Sequence, residues 1–378
     1  VLRRGTAKLP DLRAIGEALD ELYGARIESA VRKEGETLCI GFLSDCIDEA
    51  YAPGAAGLTA RVIRLLADLL YDPYLQDGVF CPDYTAGERE NLIDRIAAQK
   101  NDPRSWAPKR LTELMCNDEA YGQPALGTTE QARKITEKKL YAAYQRALGE
   151  AQVELFYCGT MAPDAVEALF ADTPLVRQRA GAPYQPQTQI VAQPAGAPRE
   201  VIEEEQVTQG KLSLGFRTGG HCLTGGDPAA CWMFQTLYGG STSSKLFLNV
   251  RERKSLCYYA SAQFIASKGL MMVNSGIENK DFETARDEIV RQLEACRAGD
   301  ITDAEIESAR KTLTTNWRAM LDDPLTLERY WLGQAAAGTL VAPEERIAQV
   351  QGVTRKRIVA AAQATALDTV YFMKGAAQ

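Results

Sequence analysis

The sequence predicts an α+β fold: two tandem, structurally similar α/β-sandwich units, each an antiparallel sheet covered by helices, closing as a clam shell. Three observations predict it. Both halves mix segments of helical apolar spacing with short alternating segments. Residues 174–199 (PLVRQRAGAPYQPQTQIVAQPAGAPR) are rich in Pro, Gln, Ala and Gly and carry no period, so they read as a linker. The halves also repeat an order of elements: Leu22-Tyr23-Gly24 ends a helix ahead of two strands, and Leu237-Tyr238-Gly239 does the same. The boundaries that follow are a first domain over 1–176, a linker over 177–199 and a second domain over 200–378. Two such units joined by a linker would frame a groove suited to an extended peptide.

Taken in order, residues 11–23 place Leu12, Ile15, Leu19 and Leu22 on one helical face, and Gly24 suits the end of that helix. Residues 25–35 and 36–46 alternate as two antiparallel strands turning at Lys33-Glu34-Gly35. A helix over 58–71 stops at Asp72-Pro73. Thr85 is the expected cap of a helix over 85–99, which Asn101-Asp102-Pro103 breaks. Helices are expected over 107–116, 129–134 and 136–148, the last capped by Thr136. The apolar run 153–158 (VELFYC) reads as a strand ahead of a helix around 162–170. In the second half, strands over 201–207 and 211–217 precede a helix over 227–238 with Pro in its first turn. Strands over 257–265 and 270–277 follow, then helices over 280–297, 302–320, 324–337 and 354–365. Thr302 and Glu305 fit a capping box, and residues 369–373 form a last strand.

With 378 residues, 46% hydrophobic and 25% charged, the chain has the composition of a globular protein of about two domains. A net charge of −7 without a basic tract argues against nucleic acid or an anionic membrane as the main partner. No uninterrupted apolar run reaches the roughly 18 residues of a membrane span. The opening VLRRGTAKLP has no signal-peptide core and no initiating Met, so the chain looks trimmed at its front. Nine scattered cysteines without a CxxC pair read as reduced thiols of a cytoplasmic protein.

The histidine count is the most restrictive. His221 is the only one, and a zinc site of HExxH or HxxEH type needs two imidazoles one helical turn apart. His221 lies in a glycine-rich loop and reads as a surface residue. Glu203-Glu204-Glu205 reads as a solvated strand edge, and Cys257 has no neighbouring His to make it a nucleophile.

Gly239 to Ser261 (GGSTSSKLFLNVRERKSLCYYAS) carries the densest chemistry: a small polar run, a short amphipathic turn, a charge cluster and an aromatic strand. Arg251 and Tyr258 could face one groove if the chain turns between them. Alternation puts Tyr259 on the opposite, inward face. The competing reading is a helix end with solvated charges and a strand with core tyrosines.

This segment resembles the second-domain signature of the insulinase/pitrilysin superfamily, in its branch similar to mitochondrial processing peptidase. Val250-Arg251-Glu252 and Leu256-Cys257-Tyr258 fall on that pattern, and Arg4-Gly5-Thr6 and ALDELYGARIESAVRKEGET extend the resemblance through the chain. The resemblance implies an HxxEH helix ahead of Val1 in active members. It implies a third zinc ligand on the helix over 87–101, where this sequence has Arg95 with Asp94 beside it. A guanidinium has no lone pair to give and stays charged. The expectation is therefore a chain that is inactive alone and holds no cofactor. It would pair as a heterodimer with a zinc-carrying, HxxEH-bearing peptidase subunit, and would lend Arg251 and Tyr258 to a peptide substrate. Such donors stabilise the anionic tetrahedral intermediate by roughly 3 kcal/mol each. Two other readings stay open at this point: an active zinc endopeptidase whose HxxEH precedes Val1, and a peptide-binding scaffold without a protease partner.

Overall fold

The computed structural model describes residues 1–176 and 188–376. Among these, residues 1–33, 38–97 and 125–176 gather into one compact unit, and residues 34–37, 98–124 and 188–376 into a second. Of the expected linker, residues 177–187 lie outside the described residues. Residues 188–193 are bonded within the second unit: the Thr188 hydroxyl accepts from the Glu36 N–H, and Ala192 accepts from Gly219.

The first unit opens with helix α1 (Leu12–Glu21), whose N-cap Asp11 accepts from the Ala14 N–H. Gly24, at φ 70, turns the chain out of it. Strands β1 (Arg26–Glu34) and β2 (Thr37–Asp45) pair as a two-stranded sheet. Helix α2 (Leu58–Tyr71) buries Leu58, Val62, Leu65 and Leu69 against Ile15, Leu22 and Ile27, as the helical spacing predicts. A small hairpin, β3 (Leu75–Gln76) and β4 (Val79–Phe80), leads into α3 (Pro82–Ala98). That helix starts before the expected Thr85 cap because Pro82 suits a first turn, and Thr85 is buried inside it. The break at Asn101-Asp102-Pro103 is also a beginning: the Asp102 side chain caps α4 (Pro103–Met115), a helix of the second unit. The first unit resumes with α5 (Thr129–Arg133), α6 (Glu137–Glu150) and α7 (Pro163–Ala171), α5 closed by a Thr128/Gln131 capping box and α6 by Thr136.

Residues 153–158 form no strand. Leu155 and Phe156 are exposed, and within this unit the only sheets among the described residues are the two hairpins. A short apolar run becomes a strand only where a ladder partner exists.

The second unit is built on a five-stranded sheet. Its strands are β5 (Arg199–Glu205), β6 (Gly210–Arg217), β7 (Cys257–Ile265), β8 (Leu270–Ile277) and β9 (Ala366–Gly375), ordered β5-β9-β6-β8-β7. The pairings are antiparallel except β5 with β9, which is parallel. Helices α8 (Pro228–Gly239), α9 (Phe282–Arg297), α10 (Asp303–Met320), α11 (Pro324–Ala336), α12 (Pro343–Gln351) and α13 (Arg355–Ala364) complete the unit. The sequence reading omitted α12, although Pro343 at its first turn and buried Ile347 and Val350 mark it.

Alternation along the central strands sorts residues to two faces. Leu212, Leu214, Phe216, Met271, Val273, Val370 and Phe372 join the core under α8, α9, α10 and α13. Leu270, Met272, Tyr371 and Met373 face α4 through Ala107, Leu111 and Met115. Burial on both faces makes these strands read as near-continuous apolar runs. At Gly215 a Cβ would stand 2.5 Å from Met115 Sδ, so glycine lets α4 lie close on the sheet. Each fully buried large side chain contributes roughly 1.5–3 kcal/mol.

The edge strand β5 carries the three glutamates. They are not free: Glu203 takes Arg110 Nη2 at 2.8 Å and the Tyr371 hydroxyl at 3.0 Å, Glu204 meets Lys374 at 3.2 Å, and Glu205 meets Lys100 at 2.7 Å. The expected edge is present, but its charges are neutralised by neighbours.

Candidate functional site

The segment over 239–261 begins where α8 meets β7. A Cβ on Gly239 would stand 2.7 Å from the Ala262 nitrogen and 2.8 Å from its Cβ, so only glycine allows this approach. The serines that follow form a bonded loop, with Ser243 Oγ 3.1 Å from Ser241 and 2.8 Å from Ser308. Lys245 is buried, its Nζ 2.9 Å from Glu305. The run LFLNVRER, expected as a short turn, winds as a π-helix, Leu246–Arg253. Such windings are rare and concentrate at functional sites. Leu246 and Val250 are its buried anchors.

The charge cluster divides in two. Lys254 Nζ donates to Glu288 at 2.6 Å, Arg253 to Asn249 at 3.0 Å, and Asn249 to Gln292 at 2.7 Å. These bonds hang the π-helix on α9. Burial alone would raise the Glu288 carboxyl, but hydrogen bonds from Arg291, Lys254 and Gln292 more than reverse this and hold it at about 2. The sequence carries no local sign of this clamp, because Glu288 lies far along the chain.

Arg251 is held differently. Its guanidinium lies over the Phe247 ring at 4.7 Å and 3.5 Å from Glu252, with its side chain 43% exposed. Ser255, at φ 51, occupies the left-handed region and turns the chain into β7. Tyr258 is 67% exposed. Cys257 pairs with Ile277 and Tyr259 with Gly276, which leaves Tyr258 as the extra residue of a β-bulge. The bulge shifts the alternation, so Cys257 and Ala260 both belong to the core. Tyr259, expected inward, is instead half-buried beneath the Arg104 guanidinium, 4.5 Å from its ring centre. Burial pushes the Cys257 thiol up, with Ser275 and Arg251 offsetting part of the rise, so this cysteine is no activated nucleophile.

The lone histidine has a structural partner: His221 Nδ1 accepts the Asp227 N–H at 2.9 Å, just ahead of α8.

On α3, Glu88, Asn91, Leu92, Asp94 and Arg95 line a concavity of 580 Å³ together with Val1 and Ser29. Arg95 shares this face with Glu88, two helical turns away. Burial would raise the Glu88 carboxyl, but its hydrogen bond from Arg4, at 2.5 Å, and the Arg4 charge hold it below the usual range. Glu88 is thus committed to a guanidinium, and Arg95 cannot ligate. Among the described residues no three His, Cys, Asp or Glu side chains converge. These donors do not fit a zinc ion.

The second unit also buries an ion cluster that sequence reasoning missed. Lys268, fully buried, lies 2.6 Å from Glu36 and 2.6 Å from Glu119, and donates to the Gln189 carbonyl. Arg217 reaches Glu119 at 2.7 Å and Asp368 at 2.9 Å. These charges come from distant parts of the sequence, and each is neutralised by another, which marks the cluster as structural.

A family model described as the Peptidase M16 inactive domain matches residues 134–313. The chain is 34% identical over 375 residues to the probable inactive metalloprotease YmfF of Bacillus subtilis, covering 99% of this chain and 87% of that one. It is 25% identical over 307 residues to an uncharacterized zinc protease of Mycobacterium leprae, covering 79% of this chain and 67% of the relative. Among solved structures, a conserved protein from Enterococcus faecalis superposes with a TM-score of 0.88 at 27% identity, over 100% of this chain and 88% of that one. The Peptidase M16 inactive domain from Pseudomonas fluorescens shares the fold, with a TM-score of 0.76 at 18% identity over 100% of this chain and 87% of that one. With a match of this extent, the chain belongs to the M16 metallopeptidase family, of insulinase/pitrilysin type, as an inactive member.

Proposed function

We propose that this protein is the non-catalytic subunit of a heterodimeric, zinc-dependent processing peptidase, and that it lines the peptide chamber and lends Arg251 and Tyr258 to the substrate. The zinc would be held by an HxxEH-bearing partner subunit. One observation carries the reading: Arg251 and Tyr258 stand exposed on irregular backbone, a π-helix and a β-bulge, while Lys254, Arg253 and Lys245 beside them are bonded to the fold. Irregular backbone that displays polar side chains is a recurrent device of functional sites. A phenol O–H can donate to the oxyanion that forms on a scissile carbonyl, and a guanidinium fork can hold a neighbouring carbonyl and fix the peptide's register. Nine cysteines, none of them in a disulfide among the described residues, support placing the subunit in a reducing cytoplasm. No described helix is long and apolar enough to cross a membrane.

The test is reconstitution with the zinc-bearing partner and measurement of peptide cleavage. Arg251→Ala and Tyr258→Phe should each slow turnover about 100-fold, the loss seen for one oxyanion donor. Wild-type rates in both variants would remove the assigned role.

A further inference from the structure

The second unit buries four cations: Arg217, Lys245, Lys268 and Arg346. The first three each meet a carboxylate, at 2.7 Å (Glu119), 2.9 Å (Glu305) and 2.6 Å (Glu36). Arg346, on α12 and only 3% exposed, has no carboxylate partner among the described residues. Its guanidinium lies 5.1 Å from the Trp232 ring centre. It donates to two neutral amide oxygens, Gln349 Oε1 at 3.1 Å and Gln334 Oε1 at 3.5 Å. Its Nε has no hydrogen-bond partner among the described residues. A buried charge without a counter-ion is costly, so an arrangement that keeps one invites an anion from outside.

Arg346 lines a pocket of 440 Å³ that can receive one. The other walls are Gly226 to Ala229, at the N-terminus of α8, together with Gln349, Gly352 and Arg357. The α8 end is already capped, since Asp227 Oδ1 accepts the Ala230 N–H at 3.0 Å, so the positive charge of the pocket comes from its guanidiniums. The one carboxylate in the lining, Asp227, is already taken: Arg357 grips it with Nε and Nη2, both at 2.8 Å. Two guanidiniums against one carboxylate leave the pocket net positive on a chain whose total charge is −7.

We propose that this pocket binds a small oxyanion, the carboxylate or phosphate group of a metabolite-sized ligand, with Arg346 as its counter-ion. The site is separate from Arg251 and Tyr258, and its test needs no partner subunit.

The experiment is thermal unfolding of the purified chain at constant ionic strength, with chloride replaced by inorganic phosphate in one arm and by acetate in the other. The arm that raises Tm names the chemistry. The expected rise is roughly 2–4 °C at about ten times Kd. Arg346→Met should abolish it. Because that substitution alters buried packing, Gln349→Glu provides a second reading. It places a near-isosteric carboxylate against Arg346 Nη1, so it should raise Tm without added anion and remove the anion-dependent rise. No rise with either anion in the wild-type chain, or an equal rise in Gln349→Glu, overturns the proposal.

Discussion

The α3 face around Arg95 and the bend over 246–258 carry similar densities of charge and have opposite fates. On α3 one of the two carboxylates lining the concavity, Glu88, is held by Arg4 at 2.5 Å, and the other, Asp94, stands beside the Arg95 guanidinium. On the bend, the structural work is done by Lys254, Arg253 and Asn249, which leaves Arg251 with only ring stacking and an exposed contact to Glu252. Exposed contacts of that kind are worth little. Charge content therefore does not identify a site; what matters is whether the charge is already spent on the fold.

That contrast can be attacked from both sides. The largest stability effect is expected at the hinge of the bend. Gly239→Ala forces a Cβ against Ala262 and should destabilise the chain by about 3 kcal/mol, read as a lower urea midpoint. An unchanged midpoint would mean that α8 and β7 do not constrain the bend. Next is the clamp beneath it. The Glu288 carboxyl is lowered from 4.5 to about 2 in the folded chain. Its stabilisation is then fully present above pH of about 4.5 and is lost as pH falls towards 2, on the order of 2 kcal/mol. Glu288→Gln should flatten that acid limb in a pH series of unfolding curves, and an unaltered limb would remove the clamp from the account. The smallest effect belongs to α3. Arg95 is exposed, so Arg95→Glu should change stability by less than about 0.5 kcal/mol. It should also leave the chain without stoichiometric zinc by elemental analysis, since Glu88 remains tied to Arg4 and no imidazole joins it. Zinc retained at one per chain would break the comparison outright.

Much of the fold was legible because it is written locally. The Thr302/Glu305 and Thr136 caps and the Pro228 start were found where sequence placed them, since a cap needs only residues within one helical turn. The helix–strand–strand order after Leu22 and the strands after Leu237 were found for the same reason. The misses are non-local. Residues 153–158 have strand composition and no ladder partner. The bulge at Tyr258 depends on β8, and it reversed the face expected for Tyr259. In the candidate site, Arg251, Tyr258 and Arg95 were legible as residues, whereas the Glu288 clamp and the unpaired Arg346 were not, because their environments are assembled from separate helices.

The sequence by itself determined the α+β class, the helix starts, the lack of paired imidazoles and the resemblance that placed the chain in its family, because each rests on residue types and short spacings. Only the tertiary structure decided that a helix from the first half, α4, covers one face of the second-half sheet. It also decided which of the charges in RERK are spent on the fold, and that one buried guanidinium has no carboxylate among the described residues. The physical reason is one of range. Propensity and capping act within a turn of chain, whereas burial, register and charge neutralisation are set by groups that meet only after the chain has folded.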